Sequence, residues 1–518
     1  MLNVAFINVN YECSAEGSRI ISAVLKRAGH RVRMIFLTKH AGAEFEPKDL
    51  KDLPDLLKGF DVVLMSFMSD TFLRALQVTQ FIRKTYPKLP VVWGGVHATV
   101  ASEECLQHVD YLCRGEGEEA ATEFCDLYAA GRDVSGVANF WVRQEGKVHR
   151  NPMRPLIQDL DSLPYADYDQ TDHYLYDRGS LAKATVPVLL RHHSTMPFGD
   201  IPTYLIHTAR GCPFSCSFCY NLRYKELYGT NKLLRFRSPG HAMGELIWIR
   251  DNLGAFQRVT VTDDDFFARR KEELGEFQHL YLQEIAVPFA CNVTPASLHG
   301  EKMRLMYDAG LRTLVMGVQS GSEDLNEAQY NRRFSNAKLL EKAVMLDREF
   351  NRKVDVLLDF IINNPYEGEE DVLQTIELMQ QLPEWFAMNM YSMVFYPGTP
   401  LRDVALKDGI ITGDPREYTG VSFAAQTVKG FDYITHVSLL NGCARSLVPR
   451  SVMRFLLSPS MRKVGRKIPR FLMNLVPWER LYPALWARQR ARTWRGASWV
   501  QEVSLPRKKE EPATTAAA

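Results

Sequence analysis

Thr208-Ala209-Arg210-Gly211-Cys212-Pro213-Phe214-Ser215-Cys216-Ser217-Phe218-Cys219-Tyr220 decides how the rest of the chain is read. Its cysteines follow the pattern C-x3-C-x2-C, with an aromatic residue directly before the last. Three thiolates this close can hold three corners of an iron–sulfur cube, leaving the fourth iron without a protein ligand. That open corner suits the binding and reductive cleavage of a small molecule. Other cysteine chemistries fit less well. Zinc sites pair two C-x2-C elements or add histidines at ligand spacing, and neither follows here. A disulfide framework belongs to a short secreted chain. This chain has 518 residues and opens Met1-Leu2-Asn3-Val4-Ala5-Phe6-Ile7, with no basic lead-in and no long apolar run.

Outward from the cysteines, apolar runs alternate with helical patterns. Tyr204 to Thr208 feeds the cysteine loop, and Val259 to Thr262 precedes Asp263-Asp264-Asp265-Phe266-Phe267. Phe289 to Asn292 follows, then Thr313 to Val318 leading into Gln319-Ser320-Gly321-Ser322-Glu323. Val356 to Ile362 precedes Asn363-Asn364-Pro365, and Met390 to Phe395 ends at Tyr396-Pro397-Gly398-Thr399-Pro400. Six strands with intervening helices predict a partial (β/α)6 barrel over residues 201–400. The polar residues at the carboxyl ends of its strands mark the active face.

Residues 1–140 repeat the alternation, with strands at Val4 to Ile7, Val32 to Leu37, Asp61 to Ser66 and Val91 to Gly95. The fold class is therefore α/β: a doubly wound, Rossmann-like parallel sheet, then the barrel. Ligands on such sheets sit at the carboxyl ends of strands. The candidate loops are Asn8 to Gly17, Ser66 to Thr71 and Gly94 to Thr99. Residues 141–200, rich in Pro, Asp and Tyr, read as an irregular connector.

The cysteine run and the strand-end motifs closely resemble those of the radical S-adenosylmethionine (SAM) enzymes. Gly94-Gly95-Val96-His97-Ala98-Thr99 and Val109 to Glu118 resemble the cobalamin-binding domain fused ahead of many such modules, including the class B methyltransferases. The resemblance implies a 4Fe–4S cluster on Cys212, Cys216 and Cys219. Its open iron would chelate SAM, and one electron would split SAM into methionine and a 5′-deoxyadenosyl radical. It implies SAM contacts from Phe218 beside cluster and adenine, from Asp263 and Asp264 of a D-D-x-F motif, and from Gln319 and Ser320 of an (E/Q)-S-G motif. Tyr396, in the last-strand motif, would lie near adenine. Ser66, Gly94, Gly95 and His97 are the implied cobalamin contacts. One departure stands out. The loop Asn10 to Gly17 lacks the D-x-H-x-x-G motif, whose histidine ligates cobalt from below, so the lower face of the metal is unspecified.

Each residue also has a plainer reading. Gly94 and Gly95 are ordinary turn glycines, and His97 is a satisfied histidine. Cys13 is a small buried filler. Cys291 is filler too, with hydrogen-atom donation to a radical as its sharper alternative. Glu323 begins the next helix as an acidic first-turn residue. The irregular spacing of Cys105, Cys113 and Cys125 gives no second cluster.

The two cofactor segments together imply a cobalamin-dependent radical SAM enzyme. The leading reaction is methylation of an unactivated carbon through the deoxyadenosyl radical and methylcobalamin. Ring formation, oxidation or rearrangement without methyl transfer is the alternative, and a non-catalytic corrinoid or iron–sulfur carrier is weaker. Fold alone does not choose between them. A low-potential electron donor such as flavodoxin or ferredoxin is expected. Nine cysteines in 518 residues suit a reducing cytoplasm. Residues 401–505 read as a helical, basic region, with 16 Lys and Arg against four acidic residues from Asn441 onward. Trp478, Leu481, Tyr482, Leu485 and Trp486 recur there at helical spacing. Three readings follow: peripheral contact with the inner face of an anionic membrane, a lid over the substrate, or a hairpin packed on the barrel. No nucleic-acid recognition fold is visible. The substrate is read as a small molecule, hydrophobic or anionic, and residues 506–518 as a disordered tail.

Overall fold

The computed structural model describes residues 1–39, 43–193, 201–254, 256–419, 431–469, 473 and 476–493. β1 (Asn3–Asn8), β2 (Arg31–Phe36), β3 (Val62–Ser66), β4 (Val91–Gly94) and β5 (Tyr111–Cys113) are parallel and lie in the order 5-4-3-1-2. Their residues are apolar almost without interruption, because helices cover both faces. Phe6, Met34 and Leu64 pack with Leu25 and Phe124 on one side. Ile7, Ile35, Met65 and Trp93 pack with Phe72, Val78 and Ile82 on the other. Strand order reverses between β1 and β3, where a doubly wound sheet opens a crevice for ligand.

The segment expected as a connector is part of this sheet. β6 (Phe140–Gln144) and β7 (Lys147–Arg150) extend it antiparallel beyond β5. β8 (Tyr174–Asp177) joins β2 in parallel and β9 (Ser180–Lys183) closes that edge, giving nine strands. The boundary at residue 140 is therefore corrected: the first unit runs through Lys183. Between β7 and β8 the chain crosses the sheet as a strap. Arg19 ties it down by donating to the Asp167 carbonyl at 2.7 Å, and Asp167 accepts from His173 at 3.0 Å.

The second unit starts with β10 (Thr203–Ile206). β11 (Ala209–Arg210) and β12 (Arg235–Phe236) form a small antiparallel pair around the cysteine loop. β13 (Arg258–Val261), β14 (Phe289–Val293), β15 (Leu311–Gln319), β16 (Asp355–Ile362) and β17 (Ala387–Ser392) then follow β10 in sequential, parallel order. Alternation assigns the faces. Val356, Leu358, Phe360 and Ile362 join the outer core against the helices, so Leu357, Asp359 and Ile361 face the lumen. The same count places Cys291 in the outer core, at 1% exposure. It does not face the lumen, which removes it as a hydrogen-atom donor.

The C-terminal helices close the structure. Tyr433–Ala444 packs on β17 and on the helix Glu369–Gln381. Trp478–Thr493 lies by the amino ends of the last strands: Trp486 donates its indole N–H to the Met388 carbonyl at 3.1 Å, and the charge of Asp355 acts on Arg490. Tyr482 is buried and hydrogen-bonds the His436 ring at 2.9 Å. Tyr482 thus belongs to the core and Trp478, Leu485 and Trp486 pack against it, whereas Leu481 stays exposed. The aromatic side chains read as meeting lipid are turned inward on the barrel, as in the packed reading of this stretch. Basic residues are engaged as well. Arg462 and Arg466 bind Glu369 at 2.7 and 2.6 Å, and Arg445 donates to the Leu382 carbonyl at 2.9 Å. Among the described residues, no helix is long and apolar enough to cross a membrane. The tail 506–518 lies outside the described residues.

Candidate active site

A cavity of about 360 Å³ lies between the two units. Asn10, Ser66, Gly94 and Gly95 line it from the first sheet, and His207, Gly211, Tyr220, Asn221 and Asp264 from the barrel. The candidate loops of one unit therefore face the cysteine loop of the other. Gly95 adopts φ +92°, and a Cβ there would stand 2.7 Å from Ser66 Oγ and 2.9 Å from both the nitrogen and oxygen of Phe67. Close approach and left-handed backbone both demand glycine. Gly95→Ala should destabilise the protein by about 1–3 kcal/mol and weaken corrin retention, read as a lower unfolding temperature and reduced corrin absorbance after gel filtration.

His97 is not part of this cavity. It is fully buried beneath the loop, its Nδ1 3.0 Å from Ser69 Oγ and its ring 4.7 Å from that of Phe72. The cofactor role expected for it is corrected. After the glycine pair Val96 lines the cavity, and the next side chain, His97, turns into the core. Burial, helped by the charge of Arg402, lowers its pKa from 6.5 to about 3. The folded protein thus keeps this ring neutral while the unfolded chain protonates it, and stability falls as the pH drops from 6.5 towards 3. In that window His97→Asn should lose about 1.4 kcal/mol less per pH unit than the wild type, measured by urea unfolding between pH 6.5 and 5.

The cysteine loop is held from several directions. Asp263, only 1% exposed, accepts from the Thr208 nitrogen at 2.5 Å, the Thr208 hydroxyl at 2.6 Å and the Ala209 nitrogen at 2.9 Å. Its carboxylate braces the loop and does not reach the cavity, so the SAM contact expected of it is corrected. The exposed neighbour Asp264 lines the cavity and accepts from Asn221 at 2.9 Å. Lys225 donates to the carbonyls of Pro213 and Phe214 at 3.0 and 2.8 Å. Arg210 crosses to the first unit and pairs with Glu116 at 2.9 Å and Glu118 at 2.6 Å, while Arg235 pairs with Glu116 at 3.0 Å. Part of the motif that resembles a cobalamin domain is therefore an inter-unit clamp.

None of the three cysteines is in a disulfide. Asn221 offers an N–H to Cys219 Sγ at 3.7 Å and Arg332 one to Cys216 Sγ at 3.8 Å. Such donors match an anionic cluster. Burial pushes the Cys212 thiol up to about 12 and that of Cys219 to about 11, so cluster assembly must displace their protons. Gln319 has φ +68° and is almost fully buried, with its Oε1 lacking any donor. An orphaned acceptor near the cluster loop suits a ligand hydroxyl or ammonium, and SAM carries both. The Ser320 hydroxyl is taken up internally, 3.1 Å from Thr375 Oγ1, and accepts from the Ser322 nitrogen at 3.1 Å. Phe218 packs edge-on to Tyr330 at 5.3 Å in a small apolar cluster with Phe395 and Leu401. Tyr396 leans on the core of the first unit. Glu323 opens the helix Glu323–Ala328, as read. Asn221, Lys225 and Arg332 escaped the sequence reading because nothing in their spacing links them to the cysteines.

Residues 2–125 match the B12 binding domain family and residues 206–379 the Radical SAM superfamily. The chain is a B12-binding radical SAM enzyme. Its cofactors are cobalamin, SAM and a 4Fe–4S cluster, which the donor set above fits. The enzyme is 25% identical to an uncharacterized methyltransferase of Pyrococcus horikoshii, over 73% of this chain and 76% of that one. It is 24% identical to the anaerobic magnesium-protoporphyrin IX monomethyl ester cyclase of Rubrivivax gelatinosus, over 51% of this chain but only 44% of that one. Among solved structures it resembles the cobalamin-dependent SAM radical enzyme OxsB at TM-score 0.63 and 13% identity, covering 97% of this chain and 83% of that one. The radical SAM methyltransferase TsrM of Kitasatospora setae gives TM-score 0.62 and 15% identity, covering 79% and 76%. At these identities the likeness is one of fold.

Proposed function

We propose that the enzyme methylates an unactivated carbon of a small molecule. The observation that carries this reading is the shared cavity: Ser66, Gly94 and Gly95 face Gly211, Asn221 and Asp264 across one space. When bound, SAM at the cluster supplies a deoxyadenosyl radical and cobalamin supplies a methyl group. Both must reach the same substrate carbon, so a single chamber between the units is what methyl transfer requires. The residues of the chain position and seal. Asp263 and Lys225 fix the cysteine loop, Arg210 locks it to the first unit, and the apolar walls Phe6, Leu64 and Phe140 exclude water. A low-potential donor such as flavodoxin or ferredoxin supplies the electron. The match to a cyclase favours one second reading, a radical reaction without methyl transfer.

The test is anaerobic reconstitution with cobalamin, methyl-deuterated SAM and a strong reductant, followed by mass spectrometry. Methyl transfer predicts 5′-deoxyadenosine, S-adenosylhomocysteine and label on the corrin. Deoxyadenosine without S-adenosylhomocysteine or labelled corrin would replace it with the second reading.

A further inference from the structure

The barrel lumen holds a carboxyl group that none of the roles above uses. Asp359 lies on β16, in register with Gly317 of β15 and Asn389 of β17. Its neighbours Leu358 and Phe360 point outward and are fully buried, whereas Asp359 keeps part of its surface open on the inner face. Asn389 donates to Oδ1 at 2.8 Å and is the one hydrogen-bond donor to this carboxyl group among the described residues. The second oxygen has none. Among the described residues no cation is paired with it either.

The donors nearby are neutral: the Tyr391 hydroxyl, whose pKa burial and the Asp359 charge raise, and the Gln319 amide. Gln319 folds its amide back over Gly317, with Nε2 2.6 Å from where a Cβ on that glycine would stand. This brings the orphaned Gln319 Oε1 next to the strand position of Asp359. Thr260, on the inner face of β13, also has an unpartnered hydroxyl oxygen. Unpartnered polar atoms on this face call for a polar ligand beside the one expected at Gln319. Burial raises the pKa of Asp359 from 3.8 to about 6, with the Asn389 hydrogen bond opposing the rise. At neutral pH the group is therefore mostly ionised, and a cation is its natural partner. The basic C-terminal helices do not supply one, since Arg445, Arg462 and Arg466 are engaged elsewhere.

We infer that Asp359, oriented by Asn389, is a specificity-determining residue that anchors an amine-bearing substrate in the barrel lumen. This deepens the methyl-transfer reading and rests on it. It also revises the substrate class: an anionic group would meet an unpaired carboxylate at this depth, whereas an ammonium would satisfy it. A substrate held there lies one strand position from Gln319, on the side of the lumen where SAM is expected.

The test uses benzylamine, benzyl alcohol and benzoate as probes. Binding to the reconstituted full-length protein, carrying cluster and cobalamin, is measured by saturation-transfer NMR. Benzylamine should bind about tenfold more tightly than benzoate, and D359N should remove that preference. D359E, which keeps the charge, should restore it. Benzoate binding as well as benzylamine to the wild type would overturn the assignment, whether or not D359N folds. Equal benzylamine affinity in folded D359N and wild type would do the same. Formation of 5′-deoxyadenosine and S-adenosylhomocysteine by the wild type tests methyl transfer separately. If both products form while the probes fail to discriminate, only the role of Asp359 falls.

Discussion

Cys216→Ala is expected to reduce 5′-deoxyadenosine formation to the level of cluster-free protein. Cys216 is the buried member of the three, backed by the Arg332 guanidinium at 3.8 Å. With one of three thiolates gone, a cube loses one of the sulfur ligands that hold it. The measurement is iron and sulfide content with the visible absorption of the reconstituted variant, alongside the SAM products. Retention of a full cluster with normal SAM cleavage would remove this cysteine from the ligand set. Corrin binding should survive, because Ser66, Gly94 and Gly95 belong to the other unit.

The second large effect is expected at Arg210. Its guanidinium bridges Glu116 and Glu118, whose side chains are only 13% and 5% exposed. Arg210→Ala would leave buried carboxylates short of a partner, a change that typically costs about 3–5 kcal/mol. Arg235 compensates at Glu116 but not at Glu118. Urea unfolding should report a loss of that order. Reconstituted Arg210→Ala should also lose its cluster faster on gel filtration, because Arg210 stands two residues ahead of Cys212. Lysine cannot span both carboxylates with a planar fork, so Arg210→Lys should recover less than half of the loss. An unfolding curve for Arg210→Ala that superimposes on the wild type would show that the two units dock without this pair.

Much of the fold was legible because its signals are local. Parallel strands covered on both faces read as plain apolar runs, and all six barrel strands were found with ends close to those observed. The meeting of Asp264, Ser66, Gly94 and Gly95 at one cavity was legible because loops at strand ends carry ligands in both architectures. The misses involve partners distant in sequence. β8 is four residues long and pairs with β2, about 140 residues upstream, so no pattern in Tyr174–Asp177 announces it. Asp263 and Asp264 are adjacent, and nothing in the sequence says which turns inward to the Thr208 amide and which outward to the cavity. The same holds for Val96, which lines the cavity, and His97, which is buried. The aromatic and basic C-terminus has the composition of a membrane-surface helix. Only the presence of Met388 and His436 against it shows that its aromatic side is already occupied.

The strand order of the first sheet bears on how the chain can be made. Its first strand begins at Asn3, but its outer strand β9 ends only at Lys183, and β10 starts at Thr203. During synthesis, β2 emerges early and waits for β8 with an open, hydrogen-bonding edge. Such an edge invites pairing with other nascent chains. The first sheet therefore stays open until Lys183 has emerged, and a chain stalled before Tyr174 should be held by chaperones or degraded rather than survive as a free corrin carrier.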